Sequence, residues 1–196
     1  MIKAVIFDFD GVIHDTFEGL YKIYEEMNPN SNRQNFKSYF EGNVFKEVHK
    51  KYDGRFQAKF HELEKKLYLT LKIERSIRKE LELLKEKYNL YIITSNSEEN
   101  INNYFENNNF TNIFKEILGR NTHRSKTEKF KIIFEKYDLT PNECIFITDT
   151  LGDILEANEA QVKTIACTFG FHSEETLRRG NPYKVIESFE EIRDIL

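Results

Sequence analysis

Two aspartates one residue apart, Asp8 and Asp10, close the apolar run Ala4-Val5-Ile6-Phe7, and Gly11 follows them. In an extended chain residues i and i+2 point the same way, so both carboxylates project together. Carboxylates held close repel, and they persist where a hard cation or a shared proton compensates them. Asp-x-Asp also caps ordinary turns, so the pair alone does not fix a chemistry. A second acidic pair, Asp149 and Asp153, follows the run Ile145-Phe146-Ile147-Thr148. With a helix starting near Thr150 these two lie one turn apart on a common face. Acidic residues at a helix start are also favoured by the macrodipole. Jointly the two pairs offer the oxygen ligands that Mg2+ takes, with room left for water and a phosphate.

A phosphate needs donors as well. Thr94-Ser95-Asn96 ends a third apolar run ahead of a helical pattern, so the Ser95 hydroxyl and the backbone at Asn96 form a candidate anion site. An ordinary serine N-cap is the alternative there. Lys126 opens a further helical pattern and can pair with a phosphate oxygen or with Asp8, with Lys129 and Lys131 as nearby rivals. Each of these groups falls just past a strand candidate. They therefore converge on the carboxyl edge of one sheet, where open parallel sheets bind ligands.

The elements that position them are legible as two kinds of apolar pattern. Short runs rich in Val, Ile, Phe and Tyr predict buried strands at Ala4 to Phe9, Leu90 to Thr94, Ile145 to Thr148 and Val162 to Cys167, with Glu116 to Leu118 as a weaker one. Helical patterns cover Ile73 to Tyr88, Glu98 to Asn107, Thr127 to Tyr137, Ile154 to Ala160 and Phe189 to Ile195. Strands alternating with such helices indicate an α/β fold, a parallel sheet with helices on both faces. Thr16 to Leu71 departs from the alternation: it is helical throughout, with breaks at Asn28-Pro29-Asn30, Glu41-Gly42-Asn43 and Asp53-Gly54. The expected organisation is a core of residues 1–15 and 72–196 with an all-helical domain, 16–71, inserted after the first strand.

Composition bounds the partners. The chain has 196 residues, 39% of them hydrophobic, enough for one full domain plus a modest insertion. A formal charge of -4 favours neither nucleic acid nor an anionic membrane. No apolar stretch approaches the roughly 20 residues that span a bilayer. Asp8 and Asp10 interrupt the N-terminal apolar run too early for a signal peptide. The two cysteines, Cys144 and Cys167, form neither a metal spacing nor a disulfide framework, so a cytoplasmic location is expected. Residues 33–87 run against the overall charge, with 15 Lys and Arg against 9 Asp and Glu. Such a basic lid would favour a substrate with a second anionic group, contacted by Lys50, Lys51 and Arg55 around the Asp53-Gly54 turn, although the same charges also serve simply to solvate helix faces.

In order and spacing these residues resemble the four motifs of the haloacid dehalogenase-like hydrolase superfamily. Asp8-Phe9-Asp10-Gly11-Val12 is similar to the first motif, Ser95-Asn96 to the second, Lys126 to the third and Asp149 to Asp153 to the fourth. The segments Gly11 to Thr16 and Phe169-Gly170-Phe171-His172-Ser173 further resemble phosphoglycolate phosphatase and β-phosphoglucomutase-like members. The resemblance implies a Rossmann-like core with a helical cap and a Mg2+-dependent phosphatase acting on a small phosphorylated metabolite. It implies Asp8 as nucleophile, forming an aspartyl-phosphate, and Asp10 as acid and base. Asp8, the Asp10 carbonyl and Asp149 would hold Mg2+ with Asp153 in support, and Ser95, Asn96 and Lys126 would hold the phosphoryl group. Thr148 departs from the pattern, since many relatives have Gly there. By the same resemblance Asp10 argues against a dehalogenase or a transport ATPase, whereas a phosphomutase of the β-phosphoglucomutase type would keep every motif residue. A receiver-like phosphoacceptor domain gathers similar groups, but it lacks a large insertion after its first strand.

Overall fold

The run Ala4-Val5-Ile6-Phe7 is unbroken by polar residues because both faces of the sheet are covered there. In the computed structural model, which describes residues 1–196, β1 (Ala4–Phe7) is buried along its whole length. Val5 and Phe7 enter the larger core, on one face, while Ala4 and Ile6 enter a second core on the other. After β1 come four helices in succession, α1 (Phe17–Met27), α2 (Arg33–Ser38), α3 (Val44–His49) and α4 (Gly54–Tyr68). Their boundaries follow local capping chemistry. The Asn43 side chain accepts from Lys46 N–H at the start of α3, and Asp53 accepts from Arg55 and Phe56 N–H at the start of α4. The expected breaks at Glu41-Gly42-Asn43 and Asp53-Gly54 are therefore helix starts.

The chain then alternates: α5 (Arg75–Lys85), β2 (Asn89–Ile93), α6 (Glu98–Asn107), β3 (Glu116–Leu118), α7 (Lys126–Tyr137), β4 (Cys144–Thr148), α8 (Leu151–Glu159), β5 (Lys163–Cys167), α9 (Glu174–Arg178), β6 (Lys184–Ile186) and α10 (Glu191–Ile195). The six strands form one sheet in the order β3-β2-β1-β4-β5-β6, with every pairing parallel. This is the α/β, Rossmann-like architecture expected from the alternation. The order reverses between β3 and β4, which lie on opposite sides of β1. A crevice opens at such a reversal, beyond the carboxyl ends of β1 and its neighbours.

Two short elements escaped the pattern reading. β6 has three residues and pairs only with β5 at the sheet edge, too brief for any periodicity. α9 is five residues long and held by the Ser173 side chain, which accepts from Thr176 N–H. β1 also ends at Phe7 rather than Phe9. The Asp8 N–H still donates to the Ile147 carbonyl at 2.9 Å, and then the backbone turns through Gly11, whose φ is +73°.

Candidate active site

Asp8 lies where β1 leaves the sheet, with its carboxylate on the same face as Ala4 and Ile6. That face is covered by α7, whose Phe130 packs in the same core. Lys126, the first residue of α7, is thereby carried to the strand end. Its Nζ stands 2.7 Å from Asp8 Oδ2 and 2.6 Å from Asp153 Oδ2, and the side chain is 1% exposed. The start of α7 is fixed by Glu156, whose Oε1 accepts from the Lys126 N–H and the Ser125 hydroxyl. Burial alone would drive a lysine toward neutrality, but Asp153 and Asp8 outweigh it and keep Lys126 protonated. Of the two carboxylates sharing that cation, Asp153 is held ionised: burial opposes this, and Lys126 together with the Thr148 hydroxyl (2.8 Å) overcomes it. Thr148 thus helps to hold Asp153 in its ionised form. Burial pushes Asp8 the other way, well above the usual carboxylate range, with Lys126 opposing and Asp153 and Asp149 adding to it.

Asp10 occupies the turn after Asp8, and its Oδ1 is crowded with donors. The Thr16 hydroxyl donates to it at 2.7 Å, and the Tyr68 phenol, at the end of α4, makes a very short hydrogen bond to the same oxygen. Phe9 packs against the Tyr68 ring and helps to seat it. Oδ2 meets only the Asn96 amide, at 3.5 Å. Burial raises the Asp10 pKa, the Tyr68 and Thr16 hydrogen bonds pull it back, and the net shift is upward. One oxygen is pinned by two donors, and the residue lines the crevice.

Asp149, at the end of β4, is fully buried. Its Oδ2 accepts from the Phe171 N–H at 2.7 Å, whereas Oδ1 has no partner in the protein. Burial pushes its pKa to about 8, against the Phe171 hydrogen bond. The carboxylate fits only because Gly11 and Gly170 face it: a Cβ on either would overlap its atoms. A buried carboxylate oxygen without a donor is free to accept a cation. The Asp10 carbonyl likewise takes no hydrogen bond within the chain. No three His, Cys, Asp or Glu side chains form a closed metal cage. Two carboxylates and one carbonyl are oxygen donors of the kind a hard cation such as Mg2+ takes, alongside waters and substrate oxygens.

The second-motif residues are arranged differently from expectation. The N-cap of α6 is Ser97, not Ser95: Ser97 Oγ accepts from the Asn100 N–H at 3.2 Å. Ser95 is therefore released from capping, and it lines the crevice beside Asp8 and Asp10. The Asn96 N–H, expected to face a phosphate, is instead bonded to Thr94 Oγ1 at 3.1 Å. Asn96 contributes its side-chain amide, held in place through Ser97 and Asn100. Among the rival lysines, Lys131 pairs with Glu128 at the surface, and Lys129 is buried with its ammonium on the Thr94 carbonyl.

The helical segment lies directly over this crevice. The Phe40 carbonyl accepts from the Gly152 N–H at 2.8 Å, and a Cβ on Gly152 would strike the Phe40 and Gly42 backbone. Asn43 donates to Glu156 and to the Arg124 carbonyl, and Arg179 pairs with Glu41 at 2.8 Å. His172 accepts from the Leu151 N–H on Nδ1, so its Nε2 carries the proton that it donates to the Lys37 carbonyl at 3.0 Å. Lys50, Lys51 and Arg55 do not take part. All three are exposed, Lys50 pairs with Glu47, and none lines the crevice or the cavity above it. The expected basic lid is corrected by the helical faces: Lys50 and Arg55 are exposed, Lys51 lies over the Tyr39 and Tyr52 rings without lining the cavity, and the aromatic residues turn inward.

This arrangement of Asp8, Asp10, Lys126 and Asp149 around one switch-point crevice can be compared with known proteins. The family model described as haloacid dehalogenase-like hydrolase matches residues 5–167. The chain belongs to the haloacid dehalogenase-like hydrolases. Among solved structures, a haloacid dehalogenase-like family hydrolase from Streptococcus pneumoniae superimposes with a TM-score of 0.83 at 20% identity, covering 99% of this chain and 98% of that one. Curated relatives within reach of sequence comparison are named phosphoglycolate phosphatase. The one from Haemophilus influenzae is 23% identical over 125 residues, covering 62% of this chain and 56% of its own length. The one from Vibrio vulnificus is 23% identical over 152 residues, covering 74% and 62%. The chain thus spans little more than half the length of the curated relatives it matches. Four residues with direct roles in the geometry of this haloacid dehalogenase-like site were not singled out from sequence: Thr16, Tyr68, Phe171 and His172. Thr16, Phe171 and His172 fall in the two segments already noted as similar to family members, whereas Tyr68 looks like any apolar position of an amphipathic helix.

Proposed function

We propose that this protein is a Mg2+-dependent phosphatase that hydrolyses a small phosphorylated metabolite through an aspartyl-phosphate on Asp8. The observation that carries the reading is the buried Asp8–Lys126 contact beside an Asp149 oxygen with no protein partner. Asp8, the Asp10 carbonyl and Asp149 would hold Mg2+, which when bound supplies the positive charge that lets a carboxylate approach an anionic phosphate. An Asp8 oxygen attacks phosphorus in line with the leaving alcohol, whose oxygen takes a proton from Asp10 as the P–O bond breaks. Asp10, now ionised, then accepts a proton from the water that attacks the aspartyl-phosphate, releasing inorganic phosphate and free Asp8. Lys126 and the Ser95 hydroxyl hold the phosphoryl oxygens, and the Asn96 amide steadies Asp10. Such catalysis rests on positioning and on neutralising charge in a water-poor site.

In this reading residues 1–15 and 72–196 form the catalytic core, and the helical segment 16–71 is a cap. Three observations support the cap: the Phe40–Gly152 hydrogen bond, the His172 bridge to Lys37 and the Tyr68 contact with Asp10. No helix is long and apolar enough to cross a membrane. The deciding experiment is phosphate release from a panel of phosphorylated metabolites. Release should require Mg2+, stop in EDTA, and vanish in Asp8→Asn. Undiminished turnover by Asp8→Asn would refute the mechanism.

A further inference from the structure

Above the crevice, between the helical segment and the core, lies a cavity of about 860 Å³ with its mouth included. It shares Asp10, Phe40, Val44, Ser95 and Phe171 with the crevice that holds Asp8, so the two spaces are continuous at the group assigned to protonate the leaving oxygen. Twelve of its nineteen lining residues are hydrophobic. Phe36, Val48, Phe56 and Phe60 form much of the wall.

Most polar side chains in this wall are already partnered, the Ser95 hydroxyl apart. Tyr24 OH bonds to Tyr52 OH at 2.7 Å and to Tyr39 OH at 3.2 Å, and Asn28 donates to the first two hydroxyls. Arg120, the only cation lining the cavity apart from any charge on His61, is neutralised by Glu64 at 2.8 Å, and His61 Nδ1 faces the same carboxylate at 3.3 Å. Gln57 is engaged with His49 and the Tyr52 carbonyl. A carboxylate or second phosphate placed against Phe36, Val48, Phe56 and Phe60 would be desolvated by side chains that carry no donor, which is costly. An apolar body would instead gain from each ring it covers.

Resting on the phosphatase reading, we infer that the substrate is a phosphate monoester whose alcohol carries a sizeable apolar, ring-bearing body, rather than a small ester with a second anionic group such as phosphoglycolate. The phosphoryl group sits in the Asp8 crevice, the ester oxygen beside Asp10, and the apolar body among Phe36, Val48, Phe56 and Phe60.

The test is binding, which does not depend on turnover. Isothermal titration of the wild-type protein in Mg2+ compares naphthylmethylphosphonate with phosphonoacetate. We expect the aromatic phosphonate to bind at least about tenfold more tightly. Val48→Asp, checked for folding by circular dichroism, should erase that preference. Equal or weaker binding of the aromatic phosphonate to wild type would overturn the inference, as would an unchanged preference in a folded Val48→Asp. If that variant does not fold, the wild-type pair of affinities decides. Failure of the phosphatase reading shows separately, as phosphate release that persists in Asp8→Asn.

Discussion

Tyr68, on the last turn of α4, hydrogen-bonds through its phenol to Oδ1 of Asp10, a residue 58 positions earlier at the end of β1. The donor belongs to the helical segment and the acceptor to the sheet edge, so seating the segment also orients the acid. Tyr68→Phe keeps the ring that packs on Phe9 and removes only this donor. We expect kcat/KM to fall about tenfold to a hundredfold, at most the smallest contribution usual for an acid–base group, because Asp10 itself remains. The sign of the pH effect follows from what the bond stabilises. The phenol favours ionised Asp10, so without it the Asp10 pKa rises further and the alkaline limb of the pH–rate profile moves to higher pH. A profile that is lower but unshifted would show that Tyr68 acts only through packing.

Lys126 offers a contrast between two substitutions at one contact. In Asp8→Asn the lysine retains Asp153, so the protein should stay folded and lose activity by about a thousandfold or more, as expected for removing a nucleophile. In Lys126→Met both carboxylates remain in a buried site without their cation. Breaking a buried pair in this way costs about 3–5 kcal/mol. Urea denaturation of the two variants side by side should show Lys126→Met as the far less stable one.

The Asp149 carboxylate is fitted between two glycines, which predicts a metal phenotype for a change that carries no charge. Gly170→Ala places a methyl group on the Asp149 side chain. The Mg2+ concentration that gives half-maximal activity should rise about tenfold to a hundredfold, as when the support of a metal ligand is disturbed. Circular dichroism and a Mg2+ titration of activity check this, and an unaltered Mg2+ requirement would remove Asp149 from the ligand set.

Lys129 is fully buried, and burial, reinforced by nearby Lys126, pulls its pKa down to about 7 from 10.5. Below about pH 7 both folded and unfolded chains are protonated there, and the cost of burying the charge is borne in full. Between about 7 and 10.5 the unfolded chain keeps the proton that the native chain has shed, so stability rises with pH by up to about 1.4 kcal/mol per unit. Lys129→Met should lack this slope. Urea midpoints of wild type and variant, measured near pH 7 and pH 9, give the comparison directly.

Much of this site was written in short, local patterns. Asp8, Asp10, Lys126, Asp149 and Asp153 each follow an apolar run or open a helix, and the backbone alone carries such residues to one sheet edge. The same logic gave the parallel sheet, since strand runs apolar on both faces require helices on both sides. What escaped was short or non-local. β6 and α9 are too brief to show a period. The true cap of α6 is Ser97, because side-chain capping depends on where the first turn starts, within a residue or two.

Asp8 and its companions could therefore be placed by sequence through strand and helix periods, which are fixed by bonding between near neighbours. The glycines that admit Asp149 were decided by how the turns after β1, β4 and β5 meet, and the partnership of Tyr68 with Asp10 and the lining of the upper cavity by how α1 to α4 pack on the core. The net positive charge of residues 33–87 pointed to a basic lid, because composition counts charges without saying which way they face. In the folded chain Lys50 and Arg55 face water and Lys51 lies over the Tyr39 and Tyr52 rings, while Phe36, Phe56 and Phe60 line the cavity. Burying rings rather than cations is the cheaper choice, and it depends on the helix faces that tertiary packing brings together.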